Sequence, residues 1–192
     1  PALERQLAHN EHAFSALNHA FFRDGAVVRI AAGVKVEKPI QVLYLSASGS
    51  SPSVPGAAPT VSCPRTIIEL AEGAEAVLLE NYAGRSGNIP NYLANPFTDI
   101  VLGPGAKLSH VKWNQEDPEA FHVAGSFARV AAGARFDTLT ITLGSKIARN
   151  EIECVLEGEK AEAHLYGLYL ARGEQLVDNY TTLEHASPGC PS

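Results

Sequence analysis

Glu151-Ile152-Glu153-Cys154-Val155-Leu156-Glu157 alternates with a period of two, with Ile152, Cys154 and Leu156 on one face and Glu151, Glu153 and Glu157 on the other. Such text is a strand with one buried face. After Gly158-Glu159-Lys160 comes Ala161 to Leu170, and after Ala171-Arg172-Gly173-Glu174-Gln175 comes Leu176 to His185, both carrying β-branched or aromatic residues. From Gly144 to His185 the chain therefore reads as three strands joined by two short glycine turns.

The interval extends upstream. Gly133, Gly144, Gly158 and Gly173 fall 11, 14 and 15 residues apart, and Gly73, Gly105 and Gly133 lie 32 and 28 apart, so two half-units make a unit of roughly 28 residues. Units open on Gly25-Ala26, Gly73-Ala74, Gly105-Ala106 and Gly133-Ala134. A period in this range marks a stacked architecture, in which each unit buries its apolar face against its neighbours. The reading is all-β, one coil of a β-helix per unit, with about six coils after the first 24 residues.

Leu3, Leu7, Phe14, Leu17 and Phe21 recur at helical spacing, which predicts an α-helix from about Ala2 to Phe22 ended by Asp24-Gly25. Its apolar stripe is expected to cap one end of the coil stack. The domain reading is residues 1–24 as this helix and 25–192 as the β-helix core. Strand-like text fills Ala26 to Leu45, Arg65 to Leu70, Ala76 to Tyr82, Thr98 to Leu102, Lys107 to Trp113, Phe121 to Val130 and Phe136 to Leu143. Ser46 to Pro59 and Arg85 to Asn91 read as surface loops. In the last of these strands Thr138, Thr140 and Thr142 alternate with Leu139, Ile141 and Leu143, and the threonines read as the solvated face.

With 45% hydrophobic residues in 192, the chain can bury a substantial core. A net charge of −6 with scattered lysines and arginines argues against nucleic acid or an anionic membrane as partner. No apolar run reaches the ~20 residues that span a bilayer, so a cytoplasmic protein is expected. Cys63, Cys154 and Cys190 are odd in number and widely spaced, which fits a reducing compartment and small buried thiols. The chain begins Pro1-Ala2-Leu3 and has no methionine, and reads as a piece of a longer protein. Its unfinished last coil, Leu183 to Ser192, is expected to recruit a second copy end to end or edge to edge.

The chain has no nucleophile elbow, no phosphate-binding glycine loop, no dinucleotide fingerprint and no Cys-x-x-Cys pair. No catalytic, cofactor-binding or metal residue is assigned, and the protein is not read as an enzyme. His9 and His12 share the helix but lack the His-Glu-x-x-His spacing of zinc proteases. His110, His122, His164 and His185, with Cys63, Cys154 and Cys190, would form an iron or zinc site only if the coils stacked them together. Glu69, Glu72, Glu75, Glu80, Glu151, Glu153, Glu157 and Glu159 read as solvated outer-face residues.

Several stretches together carry a resemblance. Phe14-Ser15-Ala16-Leu17-Asn18-His19-Ala20-Phe21-Phe22-Arg23-Asp24-Gly25, the Pro39-Ile40 step, Asn95-Pro96-Phe97-Thr98-Asp99-Ile100 and Leu108-Ser109-His110-Val111-Lys112 are four of them. Gly167-Leu168-Tyr169-Leu170 and Asp178-Asn179-Tyr180-Thr181-Thr182-Leu183-Glu184-His185 complete the set. The chain resembles the SufB/SufD family of iron–sulfur cluster assembly proteins over nearly its whole length. It is nearer the SufD branch, because Pro188-Gly189-Cys190-Pro191-Ser192 resembles that branch's closing text. The resemblance implies a right-handed parallel β-helix, a scaffold role beside SufB-like and SufC-like proteins, and an iron–sulfur cluster assembled transiently by the parent complex. It also implies a C-terminal helical region, docking the SufC-like ATPase, and a late Cys/His site, both beyond Ser192; neither His185 nor Cys190 inherits that role. Two other classes stay open: a carbohydrate-binding or carbohydrate-active β-helix, which would show clustered aspartates and a row of aromatics, and a cupin-like metal enzyme, which would show His-x-His.

Overall fold

The computed structural model describes residues 13–46, 60–84 and 92–192. Both expected loops lie almost wholly outside these residues, as do Leu3, Leu7, His9 and His12. The helix α1 (Ala13–Phe21) leads into β1 (Gly25–Ile30) and β2 (Ile40–Ser46). The strands β3 (Val61–Ser62), β4 (Arg65–Leu70), β5 (Glu75–Gly84), β6 (Leu93–Ala94), β7 (Phe97–Leu102) and β8 (Lys107–Gln115) follow. The chain continues through β9 (Phe121–Val130), β10 (Arg135–Thr142), β11 (Ile147–Leu156), β12 (Glu162–Tyr169) and β13 (Leu176–His185).

One sheet stacks β1-β4-β7-β9-β11-β13 with β3 and β6 at its side, and the other stacks β12-β10-β8-β5-β2. Among the described residues every strand pair is parallel. Each coil gives one strand to each sheet, so the fold is a β-solenoid. Successive coils pair at intervals of 40, 32 and 28 residues from Gly25 to Arg65 to Phe97 to Gly125, then 26 and 29 from Phe121 to Ile147 to Leu176. The solenoid makes about four turns, fewer than the six expected.

One corner recurs at every coil. Ala74 N, Ala106 N, Ala134 N and Ala161 N each donate to the carbonyl three residues back, at 3.0–3.1 Å. The third position of these turns has positive φ: Gly73 (64°), Gly105 (65°), Gly133 (63°) and, at the next corner, Lys160 (59°). Glycine takes that conformation at no steric cost, which is why the sequence repeats Gly-Ala there. The alanine after it points inward and is fully buried, leaving room for the apolar cluster of Ile68, Leu78, Ile100, Leu108, Phe136 and Leu156.

Three side-chain assignments and the place of the helix differ from the sequence reading. Thr138, Thr140 and Thr142 face inward, 1–4% exposed, while Leu139 and Ile141 are half-buried on the outside and Leu143 is exposed. Glu80 is fully buried instead of solvated. Ile152 is only partly buried, although Cys154 and Leu156 beside it are completely so. The helix α1 is present, and it lies on the outer flank of the first sheet, not over the end of the stack.

Polar anchors account for that last placement. Asn18 Nδ2 donates to the carbonyls of Pro64 (3.0 Å) and Asn95 (2.8 Å), and Asn18 Oδ1 accepts from Arg65 Nη1 (3.1 Å). The Arg65 guanidinium forks onto Asp99 at 2.7 and 3.1 Å and sits 4.7 Å from the Phe97 ring centroid. Burial raises the Asp99 carboxyl above its ordinary value even against the Arg65 charge. The buried face of α1 is thus Ser15 and Asn18, while Phe14 and Phe21 are exposed.

Leu156→Ala is expected to lower the unfolding free energy by about 2–5 kcal/mol, since the in-register coils on either side cannot close over the gap. In the same urea titration Gly133→Ala should cost about 1–2 kcal/mol from its left-handed backbone alone. Gly158→Ala should cost more, because an added Cβ would come 2.3 Å from the Ala132 nitrogen. A loss below about 1 kcal/mol for Leu156→Ala, within the range of ordinary surface changes, contradicts the closed core.

Candidate functional site

The core changes character along each strand. Away from the glycine corner, the inward positions of β5 are Leu78, Glu80 and Tyr82, those of β8 are His110, Lys112 and Asn114, and those of β10 are the three threonines. Parallel register brings these residues together and carries them across to β7 and β9.

Glu80 Oε2 accepts from Thr98 Oγ1 at 2.9 Å and lies 2.9 Å from His110 Nε2. A carboxylate only accepts, so Nε2 carries the proton and donates it. His110 Nδ1 shares a hydrogen bond with Thr138 Oγ1 at 3.3 Å. One hydrogen-bonded chain, Thr98–Glu80–His110–Thr138, thereby crosses the interior and joins four strands.

Lys112, 3% exposed, donates to Ser126 Oγ at 3.1 Å and sits 5.8 Å from the centroid of Tyr82. Tyr82 stacks on Tyr44 (5.2 Å, 15°) and meets His122 edge-on (5.2 Å, 68°). A second buried pair follows, His122 Nδ1 to Glu116 Oε2 at 2.8 Å. Glu80 Oε1, Tyr82 Oη and His122 Nε2 are buried without a hydrogen-bond partner.

Burial dominates the electrostatics. It lowers the Lys112 ammonium from 10.5 to about 8, against the pull of Glu80. Burial alone would raise Glu80, but the His110 hydrogen bond and charge, with Lys112 behind, bring it down to about 2. Tyr82 is pushed well above its ordinary value by burial and by Glu80. The interior therefore holds a carboxylate beside an amine that burial brings down to about 8.

The histidines and cysteines named from sequence do not converge. His110 and His122 are inside, each with its own carboxylate. His164 is on the outer face, 3.2 Å from Glu162 and stacked on Tyr166, and His185 is exposed at the end of β13. Cys63 and Cys154 are buried apart from one another, and burial raises the Cys154 thiol to about 12, in keeping with an unreactive core residue. Cys190 Sγ donates to the carbonyls of Gly158 and Ser187. Among the described residues no three His, Cys, Asp or Glu side chains gather in a metal-binding group. Lys112 and Glu80 were missed because Leu79, Val111 and Trp113, between and beside them in sequence, are as apolar as core residues.

These features define a parallel β-solenoid with a hydrogen-bonded, charged interior. The model of the SUF system FeS cluster assembly SufBD core domain matches residues 53–192, and that of the SufBD protein N-terminal region matches residues 3–42. The chain belongs to the SufBD family. It is 26% identical to an iron-sulfur cluster assembly SufBD family protein of Synechocystis, over 88% of this chain and 37% of that protein. It is 25% identical to protein ABCI7, chloroplastic, of Arabidopsis thaliana, over 88% of this chain and 35% of the relative. It is also 25% identical to the iron-sulfur cluster assembly protein SufD of Escherichia coli, over 86% of this chain and 37% of the relative. The chain thus spans little more than a third of the length of these relatives. No helix among the described residues is long and apolar enough to cross a membrane.

The two buried ions predict opposite pH limbs. The contribution of Glu80 is complete above about 4.5 and is lost as pH falls toward 2. Lys112 costs stability at every pH below about 8, and that cost fades as pH rises to 10.5. Lys112→Met should therefore raise Tm near neutral pH, with the gain shrinking between pH 8 and 10.5. Glu80→Gln should flatten the acid limb. A Tm that drops at neutral pH in Lys112→Met would show that the ammonium is a net stabiliser.

Proposed function

We propose that this chain is the β-solenoid part of a SufD-like scaffold subunit in SUF iron–sulfur cluster assembly, acting beside a SufB-like subunit and a SufC-like ATPase in the cytoplasm. The observation that carries the reading is the coincidence of the core-family match, residues 53–192, with the stacked coils. The Escherichia coli SufD relative and the Pro188-Gly189-Cys190-Pro191-Ser192 text favour the SufD branch. The cluster is cargo assembled by the parent complex, and this chain holds no cofactor of its own. The buried network serves the scaffold role by fixing the two sheets to one another, with Glu80 and Thr98 bridging across the interior. Its residues have no nucleophile–base geometry open to solvent, and the reading is not that of an enzyme.

The test uses the full-length parent co-expressed with its SufB and SufC homologues, with an affinity tag on the SufC homologue. The three are expected to co-elute, and loss of the parent gene is expected to lower iron–sulfur enzyme activities under iron limitation. A parent that elutes alone and whose loss leaves those activities unchanged would overturn the proposal.

A further inference from the structure

The outer face of the first sheet binds the chain's own guanidinium groups in a repeated way. Arg65 forks onto Asp99 at 2.7 and 3.1 Å, with its Cζ 4.7 Å from the centroid of Phe97. Arg149 donates to Glu151 at 2.7 and 2.9 Å and to Asp178, with its Cζ 6.0 Å from the centroid of Tyr180. In both places a carboxylate takes the charge and an aromatic ring lies within cation–π reach.

Glu153 repeats this setting without the cation. It stands one row along β11 from Glu151, in register with Phe127 on one side and Thr182 on the other. It is partly buried, and among the described residues it has neither a hydrogen bond nor an ion pair. Arg129 on the neighbouring strand pairs with Glu157 instead, at 2.7 Å, and Arg149 is taken up by Glu151 and Asp178.

A hollow opens beside this carboxylate. Gly125, in register with Phe97 on one side and Glu151 on the other, projects no side chain, and Phe97 leans over it: an added Cβ would come 2.5 Å from two of its ring carbons. What remains is a groove of about 360 Å³, counted out to its open mouth. It is lined by Ser15 of α1, by Phe97, Phe127 and Glu153, and by Tyr180 and Thr182 of β13. That volume is at the low end for ligand pockets and is open to the surface, which suits the end of a side chain better than a whole cofactor.

We propose that this groove receives an arginine side chain presented by a partner protein, with Glu153 as its carboxylate and the aromatic residues as its apolar wall. The chain carries a net charge of −6, and a basic partner gains an ion pair at Glu153 where an acidic or neutral one gains none. Guanidinium is favoured over ammonium by the face itself. The Lys and Arg positions on the strands of this sheet, Arg29, Arg65, Arg129 and Arg149, are all arginine. Its planar fork pairs with a carboxylate and lies against a ring at once, which the compact, strongly hydrated lysine head does not reproduce. The groove is a property of the fold and stands whether or not the chain serves the SUF system.

The test is a titration of the ¹⁵N-labelled 192-residue chain with a blocked alanine-arginine-alanine peptide, followed by amide chemical shifts. Peptides with neutral citrulline or with lysine in place of the arginine run beside it. Saturable shifts are expected at Gly125, Glu153 and Thr182, with none from the citrulline peptide and weaker binding of the lysine peptide. Glu153→Gln should weaken the arginine peptide by about tenfold and leave Tm unchanged, because this carboxylate holds nothing within the folded chain. Should Glu153→Gln fail to fold, Thr182→Arg on the exposed edge strand offers Glu153 an internal guanidinium and should exclude the peptide to the same degree. Shifts that do not saturate, that fall instead on the exposed Glu159 and Glu174, or that survive unchanged in Glu153→Gln would overturn the proposal. So would a citrulline or lysine peptide that binds as tightly as the arginine one.

Discussion

Each inward side chain of this solenoid lies between its counterparts one coil before and one coil after, at the spacing of a parallel ladder. That constraint decides what the core can contain. An apolar residue next to the corner is flanked by others, as Leu102 is by Leu70 and, one coil further on, by Val130. Once one coil places Glu80 inside, the neighbouring coil must answer it, and His110 and Lys112 on the adjacent strand do so, with Thr98 reaching from the opposite sheet. The threonines of β10 are the next layer of the same response: their methyls fill space and their hydroxyls satisfy the imidazole and Asn150.

The parts of the fold legible in the sequence were those where polarity and parity agree. In β11 glutamates alternate with Cys154 and Leu156, so the strand, its face and its neighbours follow from seven residues. The glycine corner was legible because positive φ leaves few choices of residue. The candidate site was not, and the reason is the apolar outer face of the second sheet. Leu139 and Ile141 look like core and Thr138 and Thr142 look like surface, yet the coil buries the threonines because His110 and Asn150 await them. Glu80 between Leu79 and Asn81 gives no parity signal at all. The helix stripe misled for a related reason: Asn18 and Ser15, both polar, make the buried contacts.

The proposed scaffold role suits the shape of the fold. A solenoid offers two long flat faces and two ends, and here the faces are differently dressed: one charged and partly covered by α1, the other apolar over its middle with ion pairs along one edge. The polar half of the core spends stability on a buried ammonium, and such costs are a common mark of residues kept for function or for a defined shape.

Everything above rests on which side of β10 faces inward, and that is directly measurable by thiol alkylation. With Cys190→Ser as background, leaving the buried Cys63 and Cys154, a cysteine is introduced at Thr140 or at the exposed outer position Ser109. Ser109→Cys should react at close to the rate of a free thiol, and Thr140→Cys should react only on unfolding in denaturant. Rapid labelling of Thr140→Cys in the folded protein would mean that the threonines face solvent, and the interior site and the apolar outer face would both be misassigned.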